Sequence, residues 1–267
     1  MEIKAKKSLG QNFLKSKTAL SAMIKAGEVS EKDTILEIGP GKGALTEKLL
    51  ETGAKVIAVE KDDRLIELLN EKFSTEIKIG KLEIINEDIL ENDLSHVELK
   101  SGKYKLIANI PYYITGVLLR KFLSGQNQPE KMVVMVQKEI ADRIVARDGK
   151  ESLLSISVKV YGKPVKIMKV GKENFSPEPK VDSAILLIGA ISKAFFTDTT
   201  EDRFFEFLRA GFAHKRKILI GNLKEYFKKV GMDGKDLPQI FTSLNLDENI
   251  RPENLTVENW KTLIQKL

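Results

Sequence analysis

The segment Asn109-Ile110-Pro111-Tyr112 follows a β-branched run and combines an amide, a restricted backbone and an aromatic ring. The exocyclic amine of adenine is a weak nucleophile, because its lone pair is delocalised into the ring. Two acceptors, the Asn109 side-chain oxygen and the Ile110 carbonyl, could hold its N–H groups and aim the lone pair at a methyl donor. Pro111 is expected to keep that carbonyl facing a pocket, and Tyr112 offers a stacking face. The segment predicts methyl transfer to an adenine amine.

The alternative is a plain strand-to-loop turn, in which Pro111 ends a strand and the tyrosines are core residues. A core position is the expectation for Tyr113. For Asn109 and Tyr112 we favour the catalytic interpretation, because they lie at the end of the fourth strand in a pattern typical of nucleotide-binding sheets. No general base is required, since the product ammonium is acidic and can lose its proton to water.

A glycine-rich segment, Glu37–Gly43, closes the first predicted strand and opens a helix. Gly39, Gly41 and Gly43 would let the backbone turn sharply and approach a ligand closely. Their G-x-G-x-G spacing differs from the G-x-G-x-x-G of dinucleotide sites, which seat a pyrophosphate on a helix N-terminus. S-adenosylmethionine has no pyrophosphate and carries a sulfonium and an amino acid. Glu37 is close enough in sequence to attract that positive end, so the segment predicts an S-adenosylmethionine site.

Acidic residues also end the next two predicted strands. Glu60 could accept hydrogen bonds from both ribose hydroxyls, and Asp88 could accept the adenine amine while Ile89 packs against the ring. Each carboxylate alone would more often be solvated or cap a helix. Three acidic residues near the ends of successive strands, with Glu37 the first, favour a cofactor site.

Short β-branched runs alternate with helical patterns through the first half of the chain, which predicts a parallel sheet with crossover helices. The predicted strands are Thr34–Gly39, Lys55–Glu60, Leu82–Asp88, Lys105–Ile110 and Lys131–Val136. The helices between and after them are Gly43–Thr52, a helix capped by Asp62 and running to about Phe73, Thr115–Leu123, and one ending at about Arg147.

The alternation of predicted strands with long helices then ends. Ser155–Tyr161 and Val165–Val170 flank Gly162-Lys163-Pro164, and with Ser183–Ile188 they favour strands at an antiparallel end of the sheet. The fold class is therefore α/β, a Rossmann-like methyltransferase with a seven-stranded, mostly parallel sheet whose last strand is reversed. A small all-α domain is expected to follow, so residues 1–189 and 190–267 form the two predicted domains. Its helices are Glu201–Phe212, Lys215–Val230, Asp236–Leu244 and Thr256–Gln265.

Composition bounds the function only loosely. The chain has 267 residues, a net charge of +6 and no cysteine, which excludes disulfides and a cysteine nucleophile. The positive charge favours a polyanionic partner, although solubility alone also explains it. No apolar run reaches the ~20 residues of a membrane span, and no secretion signal is recognised, so a cytoplasmic protein without a membrane partner is expected. His96 and His214 lie outside the catalytic motifs, and no metal site is expected.

Motifs along nearly the whole chain are shared with one known family. They are Ser8–Leu14, Glu37–Gly43, Asn109–Tyr112, Phe175–Ser183, Ala213–Lys217 and Arg251–Leu255. In these segments the chain resembles the rRNA adenine N6,N6-dimethyltransferases, and among them the bacterial small-subunit branch. The resemblance implies that Phe175 forms a second aromatic face, which would sandwich a flipped adenine against Tyr112. Pro177 and Pro179 suggest a stiff exposed loop around it.

The resemblance also implies the ligands. S-adenosylmethionine contacts are implied at Asn12, Leu14, Gly39, Glu60, Asp88 and Asn109. The implied substrate is a pair of adjacent adenosines in the 3′-terminal hairpin loop of 16S rRNA within pre-30S particles, each receiving two methyl groups. A monomeric enzyme is expected. Basic residues that could touch phosphate are Lys138, Arg143, Arg147, Lys180, Lys215, Arg216 and Lys217.

A sister family, the erythromycin-resistance methylases, shares the cofactor and catalytic motifs but modifies 23S rRNA. Gly10 before Gln11, the pair Asp182-Ser183 and the Arg251–Leu255 motif favour the small-subunit branch. The pair His214-Lys215 departs from the family pattern, which leaves the detailed RNA contacts open. Two further alternatives are a nicotinamide-dependent oxidoreductase, which the glycine spacing and the Asn-Ile-Pro-Tyr segment disfavour, and a non-catalytic RNA-binding assembly factor.

Overall fold

The computed structural model describes residues 3–92, 94–214, 216–231 and 233–266. Contacts divide the chain into two compact units, Met1–Ala141 with Gly162–Ile191 and Asp142–Tyr161 with Ser192–Leu267. The second unit thus includes residues 142–161, which precede the boundary expected at 189 and 190. Within the described ranges, no helix has the length and apolar character needed to cross a membrane.

The first unit is built on the predicted seven-stranded sheet. The described strands are β1 (Phe13–Leu14), β2 (Thr34–Ile38), β3 (Lys55–Glu60), β4 (Leu82–Asn86), β5 (Lys105–Asn109), β6 (Lys131–Gln137), β7 (Lys163–Val170), β8 (Phe175–Ser176) and β9 (Ser183–Gly189). The large sheet has the order β4-β3-β2-β5-β6-β9-β7, and β1 pairs separately with β8. Strands β2 to β6 are parallel, whereas β9 runs antiparallel to both neighbours. The reversed last strand is therefore confirmed.

Helices join and cover these strands. The described α-helices are α1 (Lys17–Gly27), α2 (Ala44–Leu50), α3 (Asp63–Lys72), α4 (Ser74–Lys78), α5 (Thr115–Ser124), α6 (Lys138–Ile144), α7 (Leu153–Lys159), α8 (Glu201–Gly211), α9 (Leu219–Lys229), α10 (Leu237–Ser243) and α11 (Val257–Lys266). A 3-10 helix, Tyr112–Ile114, lies between β5 and α5.

Burial explains why the central strands read as continuous apolar runs. Strands β5 and β6 are buried over almost their whole length, as expected for parallel strands covered on both faces. Strand β7, at the edge of the sheet, alternates exposed and half-buried residues. One face of the sheet packs on side chains of α1 and α2, and Leu14 and Phe175 belong to that same core cluster. The short β1–β8 pair is thereby anchored to the main sheet.

Three local predictions are wrong. Ser155–Tyr161 was expected to be a strand, but α7 occupies Leu153–Lys159 because Ser152 and Ser155 form a reciprocal capping box. The helix after β6 ends at Ile144, before Arg147, and Ala146 follows in the left-handed region with φ +55°. Helix α9 begins only at Leu219, because Ile218 is extended. The predicted start of that helix, Lys215, lies outside the described residues.

The second unit contains α7 to α11 and has an aromatic core. Phe204, Phe241 and Trp260 are fully buried. Gly211 ends α8 directly against the indole, and a Cβ built there would lie 2.3 Å from the ring of Trp260. Phe212 stacks on the same indole with ring centroids 5.5 Å apart. Close packing therefore requires glycine at this helix end.

Candidate active site

A cavity of about 530 Å³ opens at the carboxyl ends of β2, β3, β4 and β5. This edge of the sheet is the usual ligand position in doubly wound folds. All the predicted cofactor residues except Gly43 line it: Asn12, Leu14, Glu37, Gly39, Gly41, Glu60, Asp88, Ile89 and Asn109. Ile110, Pro111, Tyr112 and Phe175 line it as well. The structure thus brings one set of predicted cofactor residues and one set of predicted catalytic residues to the same cavity.

The three glycines of the loop have different surroundings, although all have positive φ. A Cβ at Gly39 would meet no atom within 4 Å, so the space beside this residue is open. A Cβ at Gly41 would lie 3.0 Å from the ring of Phe13, and one at Gly43 would lie 2.5 Å from the ring of Phe73. Gly39 therefore leaves room for a ligand, whereas Gly43 permits side-chain packing outside the cavity.

Glu37 is a buried acid that lines the cavity. Its side chain is 1% exposed, and its Oε2 has no hydrogen-bond partner among the described residues. Burial raises the pKa of Glu37 to about 8, and the charge of Glu60 adds to the rise. A buried acceptor without a partner is costly, and a positively charged ligand would relieve that cost.

Glu60 ends β3 and is held by the backbone around it. Its carboxylate accepts hydrogen bonds from the amides of Gly41 (3.2 Å), Lys61 (2.9 Å) and Asp62 (2.9 Å). Burial nevertheless raises the pKa of Glu60, and these three bonds act in the opposite direction. The bond from Gly41 ties the tip of β3 to the glycine loop, so the two predicted cofactor elements are fixed relative to each other.

Asp88 lies just beyond the end of β4, beside the buried Ile89. Its carboxylate forms an ion pair with Lys61 and accepts a hydrogen bond from the amide of Leu90 at 2.9 Å. Burial is the largest single effect and acts to raise the pKa of Asp88. The hydrogen bonds from Lys61 and Leu90 and the charges of Lys61 and Lys121 together outweigh it, so the pKa falls below its ordinary value. Asp88 is therefore an ionised acceptor at the cavity.

Asn109 is the last residue of β5, and its amide orientation is fixed chemically. The Nδ2 group donates to the backbone carbonyl of Asn12 at 3.1 Å. A carbonyl can only accept, so the nitrogen must face Asn12 and Oδ1 remains as an acceptor. The N-terminal segment therefore sets which end of the Asn109 amide is available to a ligand.

Pro111 is extended, with φ −58° and ψ 136°, and separates β5 from the 3-10 helix that carries Tyr112. The Tyr112 hydroxyl lies 2.6 Å from the Ser183 hydroxyl. Burial raises the pKa of Tyr112, and the Ser183 hydrogen bond acts against that rise. Tyr112 is thus a neutral, anchored aromatic ring at the cavity wall.

Phe175 lies in β8, where its backbone pairs with Leu14 of β1. It is 2% exposed, so the exposed loop expected around it is wrong at Phe175 itself, because the β1–β8 pair and the core cluster enclose the side chain. Phe175 lines the cavity together with Tyr112.

Asp62 occupies the N-cap position of α3, as the sequence predicts, but its side chain forms no capping bond. Its fully buried carboxylate instead accepts hydrogen bonds from Arg64 (2.6 Å), Gln11 (2.9 Å) and Lys6 (3.2 Å). The Arg64 bond chiefly holds the pKa of Asp62 far below its ordinary value. Asp62 thereby ties the N-terminal segment to the cavity, and the separation of these residues in sequence hid the network.

Comparison with known proteins identifies the family. The profile of the family described as "Ribosomal RNA adenine dimethylase" matches residues 2–267. The chain belongs to this family. A curated relative from Dehalococcoides mccartyi (strain CBDB1), "Ribosomal RNA small subunit methyltransferase A", is 41% identical over 98% of this chain and 88% of its own length. The chain is therefore an S-adenosylmethionine-dependent rRNA adenine dimethyltransferase, and the oxidoreductase alternative is excluded.

Solved structures agree with this family. A dimethyladenosine transferase from Plasmodium falciparum has a TM-score of 0.79 at 29% identity, covering 94% of this chain and 95% of its own. The 23S rRNA methyltransferase ErmE has a TM-score of 0.75 at 22% identity, covering 96% and 99%. The second likeness shows the shared fold alone.

The basic residues expected to contact RNA are distributed over both units of this dimethylase. Lys138 is half-buried in the first unit, and Lys180 is exposed there. In the second unit Arg143, Arg147, Arg216 and Lys217 are exposed. Arg147 pairs with Asp142 at 3.7 Å, and Lys217 pairs with Glu225 at 2.7 Å. Lys215 lies outside the described residues, and RNA contact at all these positions stays a prediction.

Proposed function

We propose that this dimethyltransferase converts the N6 amines of two adjacent adenosines in the 3′-terminal hairpin loop of 16S rRNA to dimethylamines, acting as a monomer on pre-30S particles. The observation that carries the proposal is the Asn109 amide, whose nitrogen is engaged by Asn12 and whose oxygen is left as an acceptor in a cavity shared with Tyr112 and Phe175. The relative from Dehalococcoides mccartyi, named as a small-subunit methyltransferase, supports the choice of rRNA.

The residues of the cavity fit S-adenosylmethionine, which supplies the methyl group when it is bound. The open space at Gly39 would let the cofactor approach the backbone closely. The buried Glu37, whose Oε2 has no hydrogen-bond partner among the described residues, would attract its positive end. Glu60 would accept the ribose hydroxyls. Asp88 would accept the adenine amine of the cofactor while Ile89 packs on its base. Asn12 and Leu14 complete the contacts that the family implies.

The target adenine would lie between the rings of Tyr112 and Phe175. Stacking on aromatic rings is worth ~1–3 kcal/mol per base, which helps to offset the cost of removing a base from its stack. Asn109 Oδ1 and the Ile110 carbonyl would accept the two N–H groups of the target amine, so that its lone pair is directed at the methyl carbon. The proton released after transfer passes to water, and no side chain need act as a base.

The experiment that tests the proposal uses isotopically labelled S-adenosylmethionine and three substrates: undermethylated 30S particles, 50S particles and free rRNA. Label is expected in the 3′-terminal hairpin of 16S rRNA, with 30S particles the preferred substrate. Mapping by primer extension and nucleoside mass spectrometry distinguishes mono- from dimethyladenosine. Label confined to 50S particles would overturn the 16S assignment and favour the 23S rRNA alternative.

A further inference from the structure

Tyr113 is a large aromatic residue at the cavity, and it is 62% exposed. The core position expected from the sequence is wrong, because the 3-10 turn Tyr112–Ile114 directs Tyr112 and Tyr113 into different surroundings. Tyr112 is half-buried and bonded to Ser183. None of the described residues hydrogen bonds to the Tyr113 hydroxyl. Core packing therefore does not explain why an aromatic residue occupies position 113.

The Tyr113 ring nevertheless has a firm support. A Cβ built on Gly10 would lie 3.2 Å from Cδ1 and 3.3 Å from Cε1 of this ring. Gly10 also has φ +60°, a conformation that disfavours other residues. The N-terminal segment therefore packs close behind one part of the ring and leaves the rest accessible beside the cavity. A supported, exposed ring of this kind is suited to stacking.

The chemistry of the substrate supplies a partner. An adenine that leaves its stack to enter the cavity removes the stacking partner of the neighbouring nucleotide as well. An exposed aromatic ring next to the slot can replace the lost partner, and such stacking tolerates any base because every base has a π-face. Because Tyr113 directly follows Tyr112, its ring is adjacent in the chain to the proposed slot for the target base.

We propose that Tyr113 is a second stacking platform, which holds the unpaired base next to the target adenine in single-stranded rRNA. This inference rests on the proposed function, because it takes adenine in RNA as the occupant of the Tyr112 slot. Tyr113 acts on RNA affinity and on the choice of loops with an unpaired neighbouring base. It does not act on the binding of S-adenosylmethionine.

The test combines protein variants with altered RNA. With undermethylated 30S particles, Tyr113→Ala is expected to raise KM about tenfold, equivalent to ~1.4 kcal/mol, while kcat and the Kd for S-adenosylmethionine stay within twofold. Tyr113→Phe, which keeps the ring, is expected to rescue most of the loss. Val117→Ala is the matched control, because Val117 is 55% exposed and lies four residues further along the chain without a ring; its KM is expected to stay unchanged.

In the second arm, the nucleotide before or after the pair of target adenosines is replaced by an abasic residue in reconstituted particles. The unmodified enzyme should lose affinity for one of these substrates. The affinity of Tyr113→Ala should be the same for that abasic substrate as for the unaltered one. The proposal that Tyr113 is a stacking platform would be overturned if both proteins lost the same affinity on abasic substitution. An unchanged KM in Tyr113→Ala would overturn it as well. An equal loss in Val117→Ala would instead indicate an apolar docking surface for a ribosomal protein.

The two proposals can fail separately. If the unmodified enzyme labels only 50S particles, the 16S assignment fails, and the abasic comparison on the labelled 23S site still tests Tyr113. If 16S rRNA is labelled as expected and the abasic comparison shows no coupling, the inference about Tyr113 fails alone.

Discussion

The hydroxyl of Tyr112 lies 2.6 Å from that of Ser183, and this contact joins the proposed catalytic segment, Asn109–Tyr112, to the sheet. Ser183 is fully buried and begins β9, where its backbone pairs with Gln137 of β6 and Val170 of β7. Strand pairing on both sides makes Ser183 a fixed anchor for the Tyr112 ring. Phe175 precedes Ser183 by eight residues, so the segment that carries the proposed second aromatic face also carries the anchor of Tyr112.

Ser183→Ala is therefore expected to lower kcat two- to tenfold, because a hydrogen bond of this kind contributes about 0.5–1.5 kcal/mol and its loss frees the ring to rotate. The Kd for S-adenosylmethionine should be unchanged. The decisive measurement is a double-mutant cycle with Tyr112→Phe. If Ser183 acts through the tyrosine hydroxyl, the double variant should be no slower than the slower single variant. Independent, multiplicative losses would contradict this role.

The buried acid Glu37 should make stability depend on pH. An unfolded glutamate loses its proton near pH 4.5, whereas the folded group keeps it up to a pKa of about 8. The folded state then binds more protons between these values, so this group's contribution to stability falls as pH rises through that window. Glu37→Gln removes the effect and is expected to raise the free energy of unfolding by on the order of 4 kcal/mol at pH 8 and by less than about 1 kcal/mol at pH 5. Parallel pH profiles for the two proteins in urea titrations would contradict the burial argument.

Asp62 should control the N-terminal segment without contacting the substrate. Its carboxylate accepts hydrogen bonds from Lys6 and Gln11, and Asn12 follows directly with the carbonyl that orients Asn109. Asp62→Asn is expected to weaken S-adenosylmethionine binding about tenfold and to lower kcat, and hydrogen exchange should accelerate in residues 6–12. Gln11→Ala, which leaves the buried charge paired, should show the same pattern more weakly.

Asp63 provides the control for Asp62. It is the adjacent residue, is exposed, and accepts a hydrogen bond from Asn86 at 2.7 Å. Asp63→Asn should leave S-adenosylmethionine binding and hydrogen exchange in residues 6–12 close to those of the unmodified protein. If Asp62→Asn lost stability with no local change in exchange, Asp62 would be a structural residue only.

Substitutions at two glycines should separate cofactor binding from stability. Gly39→Ala meets only the backbone strain of φ +66°, about 1 kcal/mol, because no atom lies within 4 Å of the added Cβ. It should nevertheless weaken S-adenosylmethionine binding at least tenfold, since the methyl group occupies the open space. Gly43→Ala places its Cβ 2.5 Å from the Phe73 ring and should cost about 3 kcal/mol of stability. Calorimetric Kd values for S-adenosylmethionine and thermal unfolding distinguish the two variants. If both variants lost the same binding affinity and had the same stability, the separate roles assigned to Gly39 and Gly43 would be contradicted.

Local patterns predicted the sheet, because β-branched runs such as Lys55–Glu60 indicate buried strands. Acidic residues such as Glu60 indicate where those strands end. The same patterns failed where tertiary contacts decide. A capping box made Leu153–Lys159 a helix in spite of its apolar run. Tyr113 is exposed, although tyrosine next to a buried strand favours the core.

The polar network of the site was not predictable from spacing alone. Ser183 and Asp62 are 71 and 51 residues from Tyr112 and Gln11 respectively, and only the fold brings each pair together. The residues facing the cavity were found because their motifs are contiguous. The residues that hold them in place belong to other elements and lack a local signal.

Asn109 offers the most direct test of the chemistry, because its two amide atoms have different roles. Asn109→Ala removes the proposed acceptor for the target amine and is expected to lower kcat at least 100-fold, while S-adenosylmethionine binding falls less.

Asn109→Asp keeps oxygen acceptors but places one of them against the Asn12 carbonyl, which the Nδ2 group of Asn109 contacts at 3.1 Å in the unmodified protein. Two acceptors repel, so the carboxylate should turn away and activity should stay low at neutral pH. Lowering the pH protonates this acid and supplies a donor for Asn12, so the aspartate variant should recover part of its kcat between pH 7 and pH 5.5, whereas the alanine variant should not. Single-turnover rates with saturating cofactor would measure this, and unmodified kcat in either variant at pH 7.5 would show that Asn109 does not hold the amine.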